Sequence, residues 1–206
     1  FAGLAPGKAQ TPPAFTAMAP RQSRENIIEK DVGQAFMIAG FPSLSVSDPD
    51  YPAMKLLNSI MGEGMSSRFF RALREKQGLA YEIGSFMPSR LSTGFFAVYM
   101  GLLPANVEHA QVEILKEIKT AGESTASAGE FERARNQLMG HFTLDHERSA
   151  RQAWYLGWYE IMGKGYEYDA QYLRDIEKVT PEDIRRVAAK YLRIPTIVVV
   201  TPGSKR

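Results

Sequence analysis

Gly62-Glu63-Gly64-Met65-Ser66-Ser67-Arg68-Phe69-Phe70, followed by Leu73-Arg74-Glu75-Lys76-Gln77-Gly78-Leu79-Ala80-Tyr81, decides how the rest of the 206-residue chain is read. The first run is a glycine-rich turn opening a short amphipathic helix, expected from Ser66 or Ser67 to about Lys76, with Phe70 and Leu73 on its apolar side. Gly78 lies just past the helix end, where a residue without Cβ can take the left-handed conformation that stops a helix. A strand follows from Ala80. Arg74 at the end of the helix and Tyr81 at the start of the strand flank that stop and can aim two hydrogen-bond donors at one place.

Working upstream, Pro49, Tyr51 and Pro52 start a helix that runs through Met54, Leu57 and Ile60 and stops at Gly62 to Gly64. Before it, Asp31 to Phe41 (DVGQAFMIAGF) is apolar and lacks helix caps, which predicts a well-buried strand. Residues 1–21 are rich in Pro, Ala and Gly and read as a linker or tail, leaving residues 22–206 as one domain.

Downstream, Ala80 to Met87 and Thr93 to Leu103 predict a hairpin around Pro88-Ser89-Arg90. Val107, Ala110, Ile114 and Ile118 recur at helical spacing between Pro104 and Gly122. Ser127 and Glu130 form a capping-box pattern before a long helical stretch carrying Phe131 to Ile161, with a break near His146 to Ser149. Thr180-Pro181-Glu182-Asp183 caps a helix ending near Leu192, and Thr196 to Thr201 reads as a closing strand. Helix pairs separating strands, with a hairpin in the middle, predict an α+β fold: a two-layer sandwich whose mainly antiparallel sheet is covered by helices on one face.

Composition narrows the function classes. The chain is 44% hydrophobic, enough for a substantial core. Lys and Arg total 25 against 23 Asp and Glu and are dispersed, so a net charge of +2 builds no field for nucleic acid. The absence of cysteine excludes disulfides and thiolate metal sites and leaves the compartment open between bacterial periplasm and cytoplasm. No apolar run approaches the roughly 18 residues of a membrane span. No charged-then-apolar leader opens the chain, and Phe1 in place of methionine is what a processed or excised piece would show.

The run from Gly62 to Tyr81 resembles the C-terminal, non-zinc half of the pitrilysin or insulinase family. These zinc metallopeptidases include insulin-degrading enzyme and the mitochondrial processing peptidase, to which the chain is similar. The Val179-Thr180-Pro181-Glu182-Asp183-Ile184 helix start and the Val198-Val199-Val200-Thr201-Pro202 strand extend the likeness over roughly Gln22 to Pro202. The resemblance implies the same α+β half-domain. It also implies a zinc held by an H-x-x-E-H motif and a downstream Glu in a partner half, on the same polypeptide or a separate subunit. An arginine and a tyrosine with this spacing reach across into that zinc site, which here assigns Arg74 to orient substrate and Tyr81 to stabilise the oxyanion. The implied substrates are peptides or small unfolded proteins, taken up in part by β-addition.

No H-x-x-E-H occurs in this chain. Of its histidines, His109 stands near a helix start, while His141 and His146 are five positions apart and so about 140° apart around a helix. His141 and Asp145 share a helix face, but two ligands fall short of the three that a catalytic zinc needs. The chain alone is therefore expected to hold no metal or other cofactor and to be inactive.

Simpler structural roles stand beside each of these assignments. Arg74 can pair with a carboxylate and Tyr81 can cover a sheet edge, while Arg68 and Arg71 read as surface charges. Gly62-Glu63-Gly64 lacks the Lys-Ser/Thr of a phosphate loop and reads as a tight turn. Trp154, Tyr155, Trp158 and Tyr159 read as core and inter-domain packing rather than a base-stacking platform. Two rival functions stay open: a proteolytically inactive assembly subunit of the same fold, and a stand-alone peptide-binding protein. Self-association through the face that would meet the zinc half is a further expectation.

Overall fold

Five strands form one sheet: β1 (Arg24–Lys30), β2 (Ala35–Pro42), β3 (Ala80–Phe86), β4 (Phe95–Leu102) and β5 (Thr196–Pro202). They lie in the order β1-β5-β2-β4-β3. The β1–β5 pair is parallel and the other three are antiparallel. This computed structural model describes residues 20–203 together with Gly3 and Gly7. The rest of the Pro- and Ala-rich start, read above as a linker, lies outside the described residues.

Side-chain alternation makes the sheet two-faced. Ala35, Met37, Ala39 and Phe41 of β2 are buried, whereas Phe36 and Ile38 between them are exposed. The buried set joins Phe96, Val98 and Met100 of β4 and Ile197 and Val199 of β5 in one core, which the helices complete. Helices therefore cover one face and the other is open, as the α+β reading predicts. β2 is thus buried on one side only, and the expected strand starts late because Asp31 to Gln34 make the turn from β1.

Six α-helices form the second layer: α1 (Tyr51–Gly62), α2 (Val107–Glu123), α3 (Ala128–Asp145), α4 (Ser149–Ile161), α5 (Tyr168–Lys178) and α6 (Pro181–Tyr191). None of the described helices is long and apolar enough to cross a membrane. Every residue of α1 except Lys55 is buried, which makes it the central helix. At α6 the Thr180 hydroxyl accepts from the Asp183 N–H and the Asp183 carboxylate accepts from the Thr180 N–H, a complete capping box. At α3 only half of the expected box forms. Ser127 accepts from the Glu130 N–H, but the Glu130 carboxylate has turned to Arg68.

Two elements escaped the sequence reading. The strand β1 is exposed along nearly its whole length, and no helix was expected where α5 lies.

Asp50 ties the start of α1 to α6. Its carboxylate, on a residue only 7% exposed, accepts from Arg186 Nη1 at 2.7 Å, Lys190 Nζ at 2.8 Å and the Tyr191 hydroxyl at 3.0 Å. Burial pushes this carboxyl up, but the hydrogen bonds from Lys190, Arg186 and Tyr191 outweigh it and hold the pKa below the ordinary value. A depressed folded-state pKa contributes stability that is present above the unfolded value and lost as pH falls through the folded one. Denaturant unfolding at a series of pH values is expected to show that loss. In Asp50→Asn the acid-side slope should flatten, at a cost of about 1–2 kcal/mol at neutral pH, because both cations are half-exposed and partly screened.

Candidate functional site

The loop after α1 turns at Gly64, whose φ of +79° favours glycine. Ser67 secures the turn by donating its hydroxyl to the Gly64 carbonyl at 2.8 Å, and Gln137 of α3 donates to the Glu63 carbonyl at 3.2 Å. Arg68 then forms a two-pronged ion pair with Glu130, at 2.7 and 2.8 Å. Its side chain is only 14% exposed, which corrects its reading as a surface charge. A planar guanidinium meeting a carboxylate in this way fixes direction as well as distance. Arg71 is exposed, as expected.

With Phe69 and Leu73 fully buried, the helix is anchored in the core, and Phe70–Lys76 winds as a π-helix. The wider turn is an uncommon conformation that recurs at functional sites. It closes at Gly78, with φ +63°, where the Gly78 N–H meets the Arg74 carbonyl at 3.2 Å and the Leu79 N–H meets the Leu73 carbonyl at 2.8 Å. Ala80 pairs with Leu102 and Glu82 with Gly101, so Tyr81 is the extra residue of a β-bulge at the start of β3. Bulges re-aim side chains and are concentrated on sheet edges and beside active sites; β3 is an edge strand.

Arg74 and Tyr81 thus sit on either side of a helix stop in a segment with three consecutive departures from regular backbone. Arg74 is exposed, and its guanidinium lies 4.8 Å from the centroid of the Phe70 ring one turn back. This cation–π contact takes the place of the carboxylate pairing considered above. Tyr81 is 55% exposed. Among the described residues, neither side chain donates a hydrogen bond, and none joins the two.

The histidines do not gather. His146 sits where α3 ends, with Nδ1 2.7 Å from the Phe142 carbonyl and Nε2 2.9 Å from an Asp169 oxygen, its ring stacked on Tyr155. It is a partly buried link from α3 to α5, a contact that no local spacing in the sequence shows. Asp145 is engaged by Arg151 at 2.9 Å and by the Tyr155 hydroxyl at 2.7 Å. No group of three or more His, Asp or Glu among the described residues is placed to hold a metal ion, so the donor set does not fit a catalytic zinc.

Residues 1–138 match the family described as the peptidase M16 inactive domain. The chain belongs to that family. An uncharacterized zinc protease of Streptomyces coelicolor is 34% identical over 200 residues, which cover 92% of this chain and 43% of the relative. An uncharacterized zinc protease of Rickettsia bellii is 32% identical over 163 residues, covering 79% of this chain and 36% of the relative. The chain thus spans less than half the length of these relatives. In fold it is similar to a protease from Helicobacter pylori, with a TM-score of 0.88 at 21% identity over 96% of this chain and 48% of that one. A peptidase M16 inactive domain from Pseudomonas fluorescens gives 0.83 at 21% identity over 95% and 48%. The M16 assignment makes this a non-zinc peptidase domain of a zinc-protease family.

The aromatic run of α4 was only partly understood from sequence. Tyr159 is core, but Trp154 is 49% exposed and, with Trp158, faces a cavity. Lys55, the one incompletely buried residue of α1, lines the same cavity and drew no attention in sequence, where a lone lysine carries no signal.

Proposed function

We propose that this domain is the substrate-binding, non-zinc half of a zinc metallopeptidase that cleaves peptides or small unfolded proteins. In this reading Arg74 and Tyr81 project into the active site of a zinc-bearing half, carried on the same polypeptide or on a partner subunit. The observation that carries it is the pair itself: a guanidinium and a phenol, exposed and, among the described residues, without hydrogen-bond partners, on a π-helix and a β-bulge around Gly78. Backbone irregularities of this kind persist where the surrounding structure and a function hold them. A phenol O–H is a donor suited to an oxyanion. An arginine keeps its charge and offers a planar fork to a substrate carbonyl or carboxylate. The free edge of β3 beside Tyr81 can accept an extended peptide as an added strand.

Metal analysis and peptide-cleavage assays test this directly. The purified chain is expected to hold no stoichiometric zinc and to leave unstructured peptides intact, and to support cleavage once the zinc-bearing half is supplied. One equivalent of tightly held zinc with chelator-sensitive peptidase activity in the pure chain would overturn it. A zinc-free partner half would instead favour an assembly subunit.

A further inference from the structure

Between α1, the helices α3 to α5 and the strands β3 and β4 lies a cavity of about 670 Å³ that the Arg74–Tyr81 reading does not use. Aromatic rings make much of its wall, among them Tyr51, Phe142, Trp154, Trp158, Tyr159 and Tyr172. Tyr159 and Tyr172 are 3% and 4% exposed, yet neither hydroxyl has a hydrogen-bond partner among the described residues. Among the described residues Ser43 Oγ is the one fully buried side-chain polar atom without a partner, so these two hydroxyls retain some exposure, on the side of the cavity they line. Lys55 joins them there. Among the described residues its nitrogen has one acceptor, the Met87 carbonyl at a long 3.5 Å, leaving donors to spare.

Two carboxylates share the lining, and both are engaged. Asp145 is neutralised by Arg151, whereas Glu63 accepts only from the neutral Asn58 amide and its charge partly offsets the burial that lowers the pKa of Lys55. Phenols whose pKa is raised by burial remain donors at neutral pH, as Tyr51 at about 12 illustrates. Lys55 and the two phenols thus supply donors to a space much of whose wall is aromatic.

We propose that this cavity binds an aromatic carboxylate, its ring against the Trp and Tyr wall and its carboxylate on Lys55 and the free tyrosine hydroxyls, as a peptide's C-terminal aromatic residue would present. Buried charge-assisted hydrogen bonds supply orientation, and ring burial supplies most of the affinity. The site stands independently of the Arg74–Tyr81 reading and of any peptidase activity.

The chain carries its own reporter, because both tryptophans of the sequence line the cavity. Titration of the 206-residue chain with N-acetylphenylalanine is expected to change tryptophan fluorescence saturably, with a millimolar dissociation constant. N-acetylphenylalanine amide should bind at least about tenfold more weakly. Lys55→Met should erase that preference while circular dichroism shows an unchanged fold. Should that variant not fold, Tyr172→Phe, which loses a single hydroxyl, is expected to weaken the acid by about fivefold or more. Equal binding of acid and amide, wild-type affinity for the acid in the folded variant, or no saturable signal would each overturn the proposal.

Discussion

In the reconstituted peptidase, Tyr81→Phe is expected to lower kcat by roughly 10²- to 10³-fold while leaving KM much less affected. The size follows from the site's geometry and from the nature of the substitution. Tyr81 is half-exposed on a bulge, so its ring contributes little to the core and phenylalanine retains what packing there is. What disappears is one O–H donor. If that donor meets the oxyanion, its bond is far stronger in the transition state than in the ground state, and its loss therefore falls on kcat. Arg74→Lys should behave differently. The ammonium keeps the charge but loses the planar fork and the stacking on Phe70, so substrate positioning weakens and KM rises. Zinc content of the assembled enzyme should be unchanged in both variants. Near wild-type turnover of Tyr81→Phe in a correctly assembled, zinc-loaded enzyme would make Tyr81 a structural residue and move the assembly-subunit reading ahead.

Gly62→Ala is expected to destabilise the fold by about 3 kcal/mol, lowering the thermal midpoint by roughly 6–12 °C. A Cβ built on Gly62 would stand 2.3 Å from the backbone nitrogen of Ser85 and 2.6 Å from its Cβ. The Ser85 side chain cannot simply swing away, since the backbone itself is in contact and the Ser85 hydroxyl is bonded to Asn58 at 2.9 Å. Relief requires α1 and β3 to move apart, loosening a fully packed layer. Gly64→Ala serves as the control. Its φ of +79° carries a backbone penalty of about 1–2 kcal/mol, but the Cβ would meet only the end of the Gln137 side chain, at 3.2 Å, rather than backbone. Thermal unfolding followed by circular dichroism separates the two, and a smaller loss for Gly62 than for Gly64 would show that the α1–β3 contact is not tightly packed.

The two glycines illustrate what each level of structure decides. Gly64 and Gly78 were recognisable in sequence because a turn and a helix stop are local events, needing a positive φ that few other residues tolerate. The same locality made α2, the Thr180–Asp183 cap and the β3–β4 hairpin predictable, since their signals lie within a few residues. Periodicity then sorted the core from the surface and, with the order of elements, determined the α+β class. Gly62 could not be understood that way. Its reason is a strand more than twenty positions later, so only the tertiary structure supplies it.

Long-range pairing decided the remainder. Glu130 fits a capping box by sequence, yet a bidentate Arg68 from a distant segment is the stronger partner and takes its carboxylate. β1 has almost no buried side chain to mark it and exists because β5 offers a parallel edge. The sequence alone placed Arg74 and Tyr81 around a helix stop. That they stand on a π-helix and a bulge, and that Lys55 opens into an aromatic cavity, follows from packing between elements that no local spacing encodes.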